Sequence, residues 1–140
     1  MIERVKAGAL GKIAAISANY YAPASTEKTA VGPTPDEFRL RNWLWDLVLS
    51  GDILVEQNIH VIDLCNWIVG SHPLHATATG GRSVIKHQGD CWDNYQVIYT
   101  YPNDVHLSFS STQWGNSGWF DVTEQIFGAT GIAEAPYSGP

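Results

Sequence analysis

Residues 50–70 read SGDILVEQNIHVIDLCNWIVG. From Ile53 to Val69 there are seventeen residues without Gly or Pro, then Gly70, and Pro73 shortly after. A Gly just past the last helical residue and a Pro soon beyond are stop signals. The spacing therefore predicts one helix over 53–69, roughly 25 Å long at about 1.5 Å per residue. Ser50-Gly51-Asp52 breaks the chain ahead of this helix and can cap its first turn. Apolar residues cover most of the helix's circumference, which predicts burial on more than one side. Its main polar stripe is narrow: Glu56, His60 and Asp63 at spacings of four and three, then Trp67 four further on, flanked by Gln57 and Asn66. Residues three and four apart share a face of a helix.

A solvated helix face carries Lys, Arg and several Glu over a broad arc. A Glu, a His and an Asp in one line on an otherwise apolar helix point instead to acid–base chemistry, because desolvation and mutual proximity tune such groups. A His is suited to exchange a proton with a hydroxyl or carbonyl, and a carboxylate one turn away can orient it. Two other readings of the same spacing stand beside this one. His60 can be a core histidine bonded to a carbonyl, with Glu56 an acid favoured by the helix N-terminus. Glu56 and His60 can also be two metal ligands, but a third ligand and an HExxH motif are lacking, so no metal is expected.

Upstream, Met1–Leu10 reads as the tail of a helix ending at Gly8 or Gly11. Lys12–Ala22, rich in β-branched and aromatic residues, reads as a strand stopped by Pro23. Ala24–Pro35 reads as a loop and Asp36–Leu49 as helical or irregular. Downstream the pattern is β. Leu74–Thr79 is a short strand. Tyr95–Tyr101 and Val105–Gln113 form a hairpin around Pro102-Asn103-Asp104. Asp121–Gly128 and Ile132–Ala135 form a second hairpin around Ala129-Thr130-Gly131. The order predicts an α+β fold: an open, mostly antiparallel sheet with helices packed on one face.

The chain has 140 residues and a net charge of −6, which suits one domain. With 44% hydrophobic residues, six Trp and six Tyr it can build a core, so disorder is excluded. Only 16% of residues are charged, against about 25% in typical domains, which suggests surfaces covered by something else. The acidic balance leaves no basic stripe for nucleic acid, and no apolar run reaches the roughly 18 residues of a membrane span. No signal peptide is recognisable, and the cytoplasm is the expected compartment. Cys65 and Cys91 form no CxxC and are expected to be free, buried thiols.

The stretch Ser50–Gly70 resembles the second-domain signature of the Gfo/Idh/MocA (glucose–fructose oxidoreductase, inositol dehydrogenase) family. That signature runs as a Gly-rich turn, an acid, three residues, His, two residues, Asp, then Trp before a Gly. Here these are Gly51, Glu56, His60, Asp63, Trp67 and Gly70. Gly8-Ala-Leu-Gly11-Lys-Ile13 resembles the family's entry into its first sheet strand. Arg41-Asn42-Trp43 resembles its aromatic substrate loop. Asp93 with the Asn103-Asp104 turn, and Phe127-Gly-Ala-Thr-Gly131, resemble its later hairpins.

The resemblance implies the second domain of a two-domain NAD(P)-dependent oxidoreductase, which transfers a hydride between a nicotinamide cofactor and a sugar, cyclitol or related polyol. It implies that residues 1–140 are a substrate and oligomerisation domain, lacking an N-terminal Rossmann domain and the last part of the sheet. The chain accordingly contains no GxGxxG after a strand and no Glu-Lys-Pro motif, so cofactor-binding residues are not expected in it. By position His60 matches the family's catalytic His, and Glu56 stands where many members have Asp. Asp63 is either structural or a substrate contact. Arg41, Trp43, Trp45, Tyr21 and Trp92 are candidate substrate contacts, since aromatic faces and Arg suit a sugar. The expected partners are the polyol, the Rossmann domain and a second copy met through the sheet. Two other functions stay open at this point. One is a structural or interaction module whose exposed sheet face carries Tyr20, Tyr99, Phe109, Trp114 and Trp119. The other is an NAD-dependent glycoside hydrolase of the same family.

Overall fold

Ile13–Pro23 (β1) alternates its side chains between the two faces of a sheet, and the other strands assemble around it. The computed structural model describes residues 1–23, 34–85, 89–115 and 120–137. Ahead of β1 lies a short helix, Ile2–Lys6 (α1). After it come Pro35–Arg41 (α2), a single 3₁₀ turn at Trp43–Trp45, and three helices, Leu47–Ser50 (α3), Asp52–Glu56 (α4) and Ile59–Val69 (α5). The remaining strands are His75–Gly81 (β2), Asn94–Thr100 (β3), His106–Gly115 (β4), Asp121–Gly128 (β5) and Ile132–Pro136 (β6).

The six strands form one sheet in the order β2-β3-β4-β1-β5-β6. β1 is central, parallel to β4 and antiparallel to β5, and every other neighbouring pair is antiparallel. This is the expected α+β architecture. Both expected hairpins, β3–β4 and β5–β6, are present. Pro23 is the last residue of β1 rather than a stop before it. It sits beyond a register shift, opposite Gly115, at a strand end where a missing N–H is tolerated. The expected loop Ala24–Pro35 lies mostly outside the described residues, as does Trp119.

Period-two alternation sends Ile16, Ala18, Leu107, Phe109, Val122 and Ile126 to the helix-covered face, where each is at most 4% exposed. α5 lays Val61, Cys65 and Ile68 onto them, spaced four and three apart so that they form one stripe. Gly70 ends the helix with φ +74°, a conformation that a side chain disfavours. The Tyr101 hydroxyl donates to Asn66 Oδ1 at 2.7 Å and ties α5 to the end of β3. A smaller apolar cluster, Trp45, Ile85 and Cys91, lies under the α2–α3 segment. Buried Asp93 organises the loop between β2 and β3: its carboxylate accepts the backbone N–H groups of Ser83, Val84 and Ile85.

Two expectations are corrected. The stretch 53–69 is not one helix. The α-helical hydrogen-bond pattern is interrupted at Gln57 (φ −112°, ψ −48°) and resumes at Ile59, although both break residues keep right-handed backbone angles. The Asn58 N–H reaches back to the Ile53 carbonyl, one residue further than the α-helical partner. The break is held by side chains. Asn58, 1% exposed, donates from Nδ2 to Ser111 Oγ on β4 at 2.7 Å, and Gln57 Oε1 accepts from Gln113 Nε2 on the same strand.

The second correction concerns the exposed face of the sheet. Phe109 is buried, and Tyr20 and Tyr99 pack against the core beneath the helices, while half-buried Trp114 packs on the smaller cluster. The uncovered face carries small polar residues instead. One row, Thr77, Ile98, Ser108, Ser17, Gln125 and Glu134, crosses all six strands in register, and every member is exposed.

Candidate functional site

The site begins at two consecutive left-handed residues. Gly51 (φ +74°) closes α3, and Asp52 (φ +75°) opens α4. A non-glycine residue in this region is strained by about 1–2 kcal/mol. Asp52 is held there by its own carboxylate, which accepts from the Ile53 N–H at 2.6 Å and the Trp92 N–H at 3.2 Å. Burial, then a hydrogen bond to Asp52, pushes the Tyr95 hydroxyl up. Trp92 in turn lies against Tyr95 with ring centroids 5.3 Å apart. Asp52 therefore joins the start of α4 to β3.

α4 ends on Glu56, and the Gln57–Asn58 break separates it from His60 on α5. Glu56 is half-buried, and its Oε2 is buried with no hydrogen-bond partner among the described residues. It lies near Tyr20, whose hydroxyl is pushed up by burial first and then by Tyr137 and Glu56. His60 and Asp63 are exposed, and Trp67 is 58% exposed with Lys6 Nζ 5.4 Å from its ring centroid. The expected desolvated line is thus corrected. Glu56 and His60 do not share a continuous helix, no hydrogen bond joins their side chains among the described residues, and the His60 end of the stripe opens to solvent.

It opens into a cleft. His60, Asp63, Leu64 and Trp67 of α5 line a cavity of about 310 Å³ together with Val122 and Glu124 of β5, Ala135 and Pro136 of β6, and Tyr137. Glu124 is 3% exposed. Burial pushes its carboxyl up from 4.5 to about 7. Tyr20, Phe120 and Tyr137 form an edge-to-face chain of rings, with centroids 6.4 and 5.9 Å apart. The arrangement offers an imidazole, two carboxyl groups and aromatic walls around a space at the small end of ligand pockets, which run from about 300 to 1,000 Å³.

The other sequence candidates scatter. Arg41 is paired with Glu37 one turn back on α2. Trp43 is 44% and Trp92 43% exposed, whereas Trp45 is 2% exposed and belongs to the smaller core cluster. Tyr21 has the strand parity of Ser17 and Asn19, so it lies on the face opposite the cleft, and Tyr20 is the β1 tyrosine on the helix side. None of these five lines the His60 cleft. Glu124 was missed by the sequence reading. The signal was present: in Val122-Thr-Glu124-Gln-Ile126 a glutamate occupies the apolar phase of the strand.

Among the described residues no group of three or more His, Cys, Asp or Glu is placed to hold a metal. Cys65 and Cys91 are free and buried, and burial pushes Cys65 up to about 12, which makes it a poor nucleophile. No helix among the described residues is long and apolar enough to cross a membrane. No described strand runs through a glycine-rich turn into a helix, the arrangement that cradles a pyrophosphate.

A family profile described as GFO/IDH/MocA C-terminal domain matches residues 1–134. No curated protein matches the chain. Among solved structures, a Thermotoga maritima protein described as an oxidoreductase superposes with a TM-score of 0.77 at 23% identity, over 97% of this chain and 38% of that one. A myo-inositol dehydrogenase from Corynebacterium glutamicum gives 0.71 at 20% identity, over 99% of this chain and 37% of that one. A levoglucosan dehydrogenase in complex with NADH and levoglucosan gives 0.72 at 20% identity, over 96% of this chain and 35% of that one. The chain thus spans less than two fifths of the solved relatives it matches.

Proposed function

The chain belongs to the GFO/IDH/MocA family as a C-terminal domain, and from that premise we propose that it is the substrate half of an NAD(P)-dependent oxidoreductase acting on a sugar or polyol. In this reading the dinucleotide is held by a separate Rossmann domain of the full-length protein, and no step of the reaction is assigned to a cofactor site in this chain. Its own part is to seat the alcohol in the α5–β5 cleft and to exchange the hydroxyl proton at the His60 imidazole. Glu56, a short way up the chain, supplies a carboxylate toward the same region. A positioned acid–base group of this kind contributes roughly 10²–10⁴ in rate.

The observation that carries the reading is the placement of His60. By the resemblance of Ser50–Gly70 it matches the family's catalytic histidine, and it lines the cleft with Asp63, Glu124, Trp67 and Tyr137. Hydrogen-bonding carboxyl groups and aromatic walls are the chemistry a polyol ring needs. The crystallised relatives that bind levoglucosan or are described as inositol dehydrogenases are consistent with it.

The uncovered sheet face is proposed as the contact with a second copy of the chain. Five of the six residues in its central row are uncharged, whereas a solvated sheet face normally carries charge. The test of the division of labour is dinucleotide binding. The full-length protein binds NAD or NADP and oxidises a sugar or polyol, and residues 1–140 alone bind neither dinucleotide. Tight binding by the 140-residue chain alone overturns the proposal.

A further inference from the structure

Glu124 is placed as a core residue, yet it is a carboxylic acid. Its neighbours of the same strand parity, Val122 and Ile126, are 4% and 0% exposed, and Glu124 itself is 3% exposed. A buried carboxyl without a partner is costly, and proteins normally offset that cost with an Arg, a Lys or several N–H donors. Among the described residues no Arg or Lys pairs with the Glu124 carboxyl, which accepts from its own backbone N–H. The groups that face it are Cys65 from α5, which feels its charge, and His60 and Asp63 across the cleft. The side chain borders the 310 Å³ cavity, so an almost fully buried carboxyl, held by its own backbone N–H, lines the same space as His60.

The cleft has a definite charge character. Among the described residues its lining holds Asp63 and Glu124 and no Lys or Arg. The cation next to it, Lys6, sits over the Trp67 ring and is not part of the lining. We propose that Glu124 is a specificity-determining residue of this cleft: its carboxyl takes a hydroxyl of an uncharged sugar or polyol and, with Asp63, turns away substrates that carry a carboxylate. This rests on the cleft being the substrate site and deepens that reading by naming the class of substrate.

The chemistry follows from the position. A carboxyl group poised near neutrality can accept a hydrogen bond when ionised and donate one when protonated, and a hydroxyl group can answer either. A substrate carboxylate in the same space would meet Asp63 and Glu124 with no Lys or Arg among the described lining residues to offset the repulsion, and like-charge contact in a partly desolvated cleft is unfavourable. Trp67 and Tyr137 leave apolar faces beside the carboxyl for the C–H face of a ring.

The test uses the full-length protein and reads binding directly by calorimetry, so that it stands apart from turnover. The probes are myo-inositol and glucuronate. The wild-type protein is expected to bind myo-inositol and to bind glucuronate at least roughly tenfold more weakly. Glu124→Leu is expected to weaken myo-inositol binding by roughly tenfold or more, with NAD(P) affinity unchanged. Glu124→Gln keeps the shape and the hydrogen bonding while removing the charge, so it is expected to retain myo-inositol and to narrow the gap to glucuronate. Equal binding of the two probes by wild type, or unchanged myo-inositol binding in a folded Glu124→Leu protein, overturns the inference. Absence of myo-inositol binding overturns it too. Probe binding that matches these expectations in a protein with no dehydrogenase activity supports the inference and contradicts the reaction proposed for the site.

Discussion

His60 on α5 and Glu124 on β5 line one cleft, the first exposed and the second 3% exposed. The buried partner makes stability depend on pH. Glu124 has an ordinary value of 4.5, raised by burial to about 7 in the folded chain. Between those values the folded state holds a proton that the unfolded state releases, so stability falls as pH rises from 4.5 to about 7 and then levels. Glu124→Gln is expected to remove this part of the slope and to be the more stable protein at pH 8. Thermal melts of both proteins from pH 4 to 8 check it, and parallel profiles contradict it.

Asp93 gives the opposite sign. Burial pushes its carboxyl up, but hydrogen bonds from Ser83, Asn94, Ile85 and Val84 outweigh that and hold it below the ordinary 3.8. Its contribution is therefore present above 3.8 and is lost as pH falls further. Asp93→Ala leaves three backbone N–H groups without their acceptor and is expected to cost on the order of 3 kcal/mol. Denaturant melts at pH 7 measure it.

The helix break predicts a coupled pair. Asn58→Ala removes the donor that reaches Ser111 and is expected to cost about 2 kcal/mol. Adding Ser111→Ala is expected to cost less than the sum of the two single changes, because both remove the same bond. A double-mutant cycle reads this directly, and additive costs contradict the role given to the bond.

The sheet face predicts an association change. Ser108 sits in the middle of this mostly uncharged row, between Ile98 and Ser17. Ser108→Arg is expected to convert an oligomeric full-length protein to smaller species in analytical ultracentrifugation, with the fold unchanged by circular dichroism. An unchanged sedimentation profile removes this face as the contact.

The sheet was legible because alternation and turn chemistry coincide. Tyr95–Tyr101 and Val105–Gln113 each alternate, and Pro102-Asn103-Asp104 between them admits little but a tight turn, with Asn103 and Asp104 both at positive φ. The stop at Gly70 was legible for the same local reason. The break at Gln57–Asn58 was not, because neither residue is a helix breaker. Their side chains depart from the helix to reach Ser111 and Gln113, more than 50 positions away in sequence. Strand parity puts Tyr21 on the face away from the cleft, which residue type alone does not reveal. Spacing on a helix singles out His60 but not its exposure, since the apolar residues around the helix do not all face a core: Val55 and Ile59 are 57% and 42% exposed. Glu124 required reading polarity against strand phase.

Proton exchange between His60 and the substrate is the central claim. The most direct measurement is steady-state turnover of the full-length protein with a sugar or polyol and NAD(P), comparing wild type with His60→Ala and measuring dinucleotide affinity alongside. The expected result is that kcat falls by roughly 10²–10⁴ while dinucleotide affinity stays the same. Turnover within a few-fold of wild type in a folded His60→Ala protein would contradict it and return His60 to a structural role.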